Sequence, residues 1–151
     1  MSRPGPAPVL MDASAVIEWL AGGRGAAFIE PFFATDTCMC AVNLGEVLYK
    51  AQSLELGLEV DVRQGIDELG IVVVDLAARH ATRFPELRRA DLAAQRRRRD
   101  GRLPTKRLSL ADLCCLSVAL VEQWRVLTGD SYWTELELPI DVVDYRNPPA
   151  A

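Results

Sequence analysis

Four acidic residues stand where they could do chemistry together. They are Asp12 in VLMDAS, Glu46 in NLGEVLYK, Asp112 in LSLADLCCLS and Asp130 in VLTGDSYW. Asp12 and Asp130 each end a short apolar run that reads as a buried strand. Glu46 and Asp112 each fall in the first turn of what reads as an apolar helix. In open α/β sheets, ligands bind outside the carboxyl ends of the strands. Four carboxylates gathered there would repel one another unless a cation held them. An all-oxygen ligand set suits magnesium or manganese, and such a site suits phosphate chemistry.

Each acid also has a purely local reading. Asp12 starts a turn, with Ser14 as helix N-cap. Asn43-x-x-Glu46 and Ser109-x-x-Asp112 both read as capping boxes. Asp130 or Ser131 caps the short segment SYWTEL. The two kinds of reading are compatible, because a carboxylate beside a helix N-terminus is held ionised by the helix dipole. The joint pattern carries more weight than any one acid, since all four would converge on a single sheet edge.

The elements that must position these residues alternate between strand and helix. PVLM, CMCAV, IVVVDL, RVLTGD and PIDVVDY read as strands, with IVVVDL the clearest of them. Residues 14–21 have helical spacing and are stopped by Gly22 and Gly23. GAAFIEPFFATD is a second helix disturbed by Pro31. NLGEVLYKAQSLEL, EVDVRQGIDELG and SLADLCCLSVALVEQW are further helices, the last the most apolar. AARHATRFPELRRADLAAQRRRR is helical in composition but contains Pro85, DGRLPTKR is a loop, and SYWTEL is a short helix. Strands separated by helices predict an α/β fold, with a mainly parallel central sheet of about five strands covered on both faces. Right-handed crossovers would bring the strand ends to one edge.

Composition narrows the classes. With 151 residues, half of them hydrophobic and a quarter charged, the chain is expected to form one domain over 1–151, with loose tails at 1–7 and 146–151. No apolar run approaches the roughly 18 residues of a membrane span, and MSRPGPAPVLMD lacks the apolar core of a secretory signal. A cytoplasmic location without membrane association is expected. Cys38 and Cys40 alternate on one face of a strand, whereas Cys114 and Cys115 face different ways on a helix. With no CxxC pair, all four read as reduced apolar residues. His80 has no second His or Cys near it in sequence and reads as a packing or surface residue. GxGxxG and GxxxxGK[ST] are both absent, which removes support for a dinucleotide or P-loop site.

Charge is uneven along the chain. The net charge is −4, yet residues 79–107 hold eleven of the seventeen basic residues and three acids. Such a segment on an acidic body is a phosphate-binding arm or a solvated face.

The order MDASAVI, NLGEV, LSLADLCCLSVAL and LTGDSYW resembles the PIN-domain ribonucleases, and within them the VapC toxins of bacterial toxin–antitoxin pairs. The resemblance runs from Pro8 to about Tyr145 and implies a PIN-like fold and hydrolysis of RNA with magnesium or manganese. Its acidic residues map onto Asp12, Glu46, Asp112 and Asp130, as catalytic and metal-holding groups. Ser14 and Thr128 match its small hydroxyl positions beside the site. A long Arg-rich stretch before LSLAD departs from the pattern. There Arg96, Arg97, Arg98, Arg99, Arg102, Lys106 and Arg107 are the candidate RNA contacts. The resemblance also implies a cognate antitoxin and a homodimer, with Trp19, Phe32 and Phe33 as candidate interface residues. Competing classes are a PIN ribonuclease of RNA processing, a PIN-like binding module without activity, and a phosphoryl-transfer or receiver-type domain using Asp12. A receiver would want adjacent acids and a late lysine, and a haloacid-dehalogenase-type phosphatase would want Asp-x-Asp where Asp12-Ala13-Ser14 stands.

Overall fold

Five short strands make one all-parallel sheet in the computed structural model, which describes residues 7–57 and 59–150. The strands are β1 (Val9–Met11), β2 (Thr37–Cys40), β3 (Val72–Val74), β4 (Arg125–Thr128) and β5 (Val142–Asp144), in spatial order β3-β2-β1-β4-β5. The chain runs outward from β1 to β3, then returns to lay β4 on the other side of β1. The direction of winding therefore reverses between β1 and β4, the place where open α/β sheets leave a crevice.

Alternation along the strands gives the sheet two faces. Leu10, Cys38, Cys40 and Val126 face one core, covered by α6 (Phe84–Asp100) and α7 (Leu110–Glu122) and filled by Tyr132 and Trp133. Val9, Met11, Met39 and Leu127 face the other. That side is covered by α1 (Ala13–Leu20), α3 (Ala41–Ser53) and α4 (Glu59–Glu68). Among the described residues no helix is long and apolar enough to cross a membrane.

Several local expectations need correction. CMCAV is strand only to Cys40, and Ala41 and Val42 already belong to α3. The residue capping α3 is Cys40, so Glu46 lies in the second turn and no Asn43–Glu46 capping box forms. Ser14 lies inside α1 instead of capping it, and the N-cap position is Asp12. The Arg-rich helical stretch is two helices, α5 (Ala78–Ala81) and α6, and Pro85 is accommodated in the first turn of α6, where no backbone N–H is needed. Around Pro31, α2 (Ala26–Ile29) gives way to a 3-10 turn over Glu30–Ala34. IVVVDL yields a three-residue edge strand with Val72 exposed, because only one side of it is paired.

Cys114 and Cys115, although they leave α7 in different directions, are not split between core and surface. Both are buried in the same core, since α7 is enclosed nearly all round. All four cysteines are free and buried, and burial raises each thiol above its ordinary range. His80 is buried and structural: its Nδ1 accepts the Ala77 N–H at 2.9 Å, which leaves the Nε2 proton for Glu122 at 3.1 Å. Trp19, Phe32 and Phe33 are partly buried against the second core, with Trp19 and Phe33 edge-to-face at 5.2 Å. At the chain's end, Arg146 and Asn147 are held: Asp144 accepts the Arg146 N–H at 2.9 Å and the Asn147 side chain at 2.8 Å.

Candidate active site

Asp12 is the first residue after β1, and sheet register decides its neighbours. Met11 pairs with Leu127, so Asp12 continues the ladder by donating its N–H to the Leu127 carbonyl at 2.9 Å. This sets its carboxylate beside Thr128. Although Asp12 occupies the N-cap position of α1, its side chain makes no capping bond. The carboxylate instead takes the hydroxyls of Ser14 at 2.6 Å and Thr128 at 2.9 Å on Oδ2. Both hydroxyls have their acceptor side occupied by backbone N–H groups, Ser14 by Gly129 at 2.9 Å and Thr128 by Asp130 at 3.0 Å. Each must therefore point its proton at Asp12, which fixes the carboxylate's orientation from two elements at once.

Asn43 closes the other side. It is fully buried, and its amide nitrogen lies 3.5 Å from Asp12 Oδ1. Its own Oδ1 is buried without a hydrogen-bond partner. Sequence reasoning placed Asn43 as a cap, and its burial became visible only once α3 was seen to begin at Ala41. Burial pushes the Asp12 carboxyl up from 3.8 to about 6, against the pull of the two hydroxyls, and the charges of Asp112 and Glu46 add to the rise.

The Ser109–Asp112 capping box does form. Asp112 Oδ2 accepts the Ser109 N–H at 2.7 Å, and the Asp112 N–H donates to Ser109 Oγ at 3.1 Å. Burial also raises the Asp112 carboxyl, opposed by those bonds and aided by Asp130 and Glu46. Asp130 caps the 3-10 helix Ser131–Leu136, accepting the Tyr132 N–H at 3.0 Å, and it takes Lys106 on the same oxygen at 3.1 Å. Glu46 pairs with Lys50 one turn on, at 2.6 Å. Asp12 thus feels the charges of Asp112 and Glu46, and Asp112 those of Asp130 and Glu46. As the side chains lie, no three Asp, Glu, His or Cys among the described residues are grouped closely enough to hold an ion. Two of the four are turned to lysines, and two are forced toward the neutral form by burial.

The basic stretch divides into two sets. Arg97 donates to the Glu135 carbonyl and lies 3.6 Å from Glu137. Arg98 is 11% exposed, pairs with Glu135 at 2.6 Å, donates to the Pro104 carbonyl at 2.7 Å and lies over the Tyr132 ring. Both therefore tie α6 to the 3-10 helix that follows Asp130. Arg96, Arg99 and Arg102 instead line a hollow of about 450 Å³ with Leu92, Leu103 and Thr105. Arg107 is exposed, and Lys106 stands at Asp130.

Residues 9–137 match the family model described as PIN domain. The chain belongs to the PIN domain family. This PIN domain is similar in structure to a toxin–antitoxin complex from Klebsiella pneumoniae, with TM-score 0.67 and 17% identity over 91% of this chain and 97% of the other. DNA-bound VapBC from Salmonella typhimurium gives 0.63 and 17% over 92% and 98%. The sarcin–ricin-loop-cleaving toxin VapC20 of Mycobacterium tuberculosis gives 0.56 and 12% over 86% and 95%. At these identities the likeness is one of fold. Among curated proteins, none was found to match this chain by sequence.

Proposed function

We propose that this PIN domain is a divalent-metal-dependent ribonuclease and the toxin member of a toxin–antitoxin pair. The observation that carries the reading is the placing of Asp12, Glu46, Asp112 and Asp130 around the winding reversal of a PIN fold, where the charges of Asp112 and Glu46 help raise Asp12 and those of Asp130 and Glu46 help raise Asp112. The donor set fits a hard cation, and the unpartnered Asn43 Oδ1 leaves room for a further donor beside Asp12. Asp12, Asp112 and Asp130 would hold magnesium or manganese, with Glu46 beside them. Such an ion supplies Lewis-acid activation of water and neutralises charge on phosphate oxygens.

The chain's own groups do the rest. Ser14 and Thr128 lock the Asp12 carboxylate, so that it needs no reorganisation when a cation arrives. Lys106 and Lys50 pair with Asp130 and Glu46, and a cation at the site would compete with them for those carboxylates. Arg96, Arg99 and Arg102 attract the RNA backbone, and Arg97 and Arg98 hold the wall beside it. No histidine base is required, since His80 is spent on Ala77 and Glu122.

The antitoxin partner is part of the proposal and is supported by the toxin–antitoxin complexes among the similar structures. A homodimer is part of the same proposal. The test has two arms. Purified protein should cleave RNA with magnesium or manganese and lose that activity in chelator. Expression should arrest growth, with rescue by a co-expressed partner. RNA cleavage undiminished in chelator would overturn the metal-dependent reading, and harmless expression of active enzyme would overturn the toxin role.

A further inference from the structure

A second basic feature joins Lys106, from the end of the Arg-rich segment, to Arg146 near the end of the described chain. A hollow of about 350 Å³ opens beside the carboxylates, lined by Ser14, Gly129, Asp130 and Ser131 and by two cations, Lys106 and Arg146. Lys106 reaches it from the loop before α7, and Arg146 from the turn after β5.

The turn that presents Arg146 is built into the fold. Asp144 is 5% exposed and spends both carboxylate oxygens on the two residues that follow Tyr145. Tyr145 is buried and donates its N–H to the Thr128 carbonyl at 3.0 Å, beside Asp12 and Asp130. Its ring fills the space where a Cβ on Gly25 or Gly129 would stand, so both positions leave room for it only as glycine. A residue on this turn therefore keeps its place relative to β4.

Charge in the hollow is not balanced. Asp130 and Lys106 offset each other, whereas Arg146 makes no ion pair among the described residues and lies over the Tyr145 ring at 5.8 Å. Lys106 has three N–H donors and gives one to Asp130, which leaves two. A guanidinium without an ion pair among the described residues and a lysine at one concave spot suit a tetrahedral oxyanion, the first by its planar fork and the second as a point charge. A polyanion crossing this edge must pass four carboxylates, and each phosphate beside them needs a positive neighbour.

We propose that the hollow of Lys106 and Arg146 is a subsite for a backbone phosphate of the RNA strand, next to the phosphate that lies at the carboxylates. This rests on the ribonuclease reading and adds to it a strand path, from the Arg96, Arg99 and Arg102 hollow past Asp130 to Arg146.

The test uses Arg146→Gln, Arg146→Lys and, as a remote control, Arg63→Gln on α4. Binding of a short single-stranded RNA is followed in chelator by fluorescence anisotropy across a salt series. Cleavage is followed with magnesium or manganese. Arg146→Gln should flatten the log–log salt slope of binding by about 0.7, the share of one phosphate contact on a single strand. It should also raise KM severalfold with kcat unchanged. Arg146→Lys should recover most of the slope, and Arg63→Gln should match wild type. If wild type cleaves RNA while Arg146→Gln keeps its KM and its slope, the subsite is overturned and the ribonuclease reading stands. The subsite is equally overturned if Arg146→Gln loses capture of a protein partner but not RNA affinity. If wild type neither binds RNA in chelator nor cleaves it with metal, both readings fall.

Discussion

Replacing Asp12 with Asn should stabilise the metal-free protein. Asp12 is 6% exposed, and burial raises its carboxyl from 3.8 to about 6. The folded state therefore holds this proton more tightly than the unfolded chain does. Below 3.8 both states are protonated and the group costs nothing. As pH rises through the window to about 6 the native state loses stability, and the loss is complete above it. At about 1.4 kcal/mol per pH unit, the buried charge costs roughly 3 kcal/mol near neutrality. Asn removes that charge and fits the same donors. Its oxygen can keep the Ser14 and Thr128 hydroxyls, and its amide can meet Asn43 once that side chain turns its unpartnered Oδ1 inward. In a domain of this size the gain is a rise in Tm of roughly 6–12 °C at about pH 7. The gap should close as the pH is brought down to about 4. Magnesium should raise the wild-type Tm by binding the native state and raise that of the variant less. The assay is a set of melts of both proteins, in chelator and in magnesium, at the two pH values. If Asp12→Asn melts below wild type in chelator at neutral pH, or both gain equally from magnesium, Asp12 is a turn residue and holds no metal.

Replacing Arg96, Arg99 and Arg102 together with Gln should flatten the salt slope of RNA binding by about 2, at roughly 0.7 per contact; an unchanged slope would return that hollow to an ordinary solvated face. Arg98→Ala should instead lower unfolding stability by about 1–2 kcal/mol in urea, because it removes a mostly buried side chain together with its bonds to Glu135 and the Pro104 carbonyl and its packing on Tyr132. Gly129→Ala should destabilise by about 1–3 kcal/mol, since its Cβ meets the Tyr145 ring, and Tyr145→Leu in the same chain should recover part of the loss.

Four of the five strands were legible because each is a short apolar run closed by an acid or a turn, and two such endings place Asp12 and Asp130. Ser109-x-x-Asp112 was legible as well, since a capping box is a local device that tertiary structure had no reason to change. The start of α3 was not. Ala41 and Val42 are apolar and follow a strand without a turn signal, so periodicity alone extends the strand through them. That shift of two residues took Asn43 from a helix cap to the wall of the site. The arginine run hid a division that helical spacing does carry: Leu87, Asp91, Ala94 and Arg98 form one stripe, the first three buried and Arg98 nearly so. Arg96 and Arg99 fall off that stripe and stay at the surface. At the end of the chain, the Asp144-x-Arg146-Asn147 turn was concealed by the Pro-rich tail after it, although Asp starting such a turn is an ordinary signal.

Cleavage of a labelled RNA by wild type and by Asp112→Asn, in manganese and in chelator, tests the central claim most directly. Asp112 keeps its helix cap in this variant through the amide oxygen, so the protein stays folded and only the charge is lost. Wild type should cleave in manganese and not in chelator. Cleavage by Asp112→Asn should fall by more than the roughly 10–100-fold that losing a supporting group costs a metal site. Wild-type rates from Asp112→Asn, or undiminished cleavage by wild type in chelator, would contradict a metal-dependent ribonuclease.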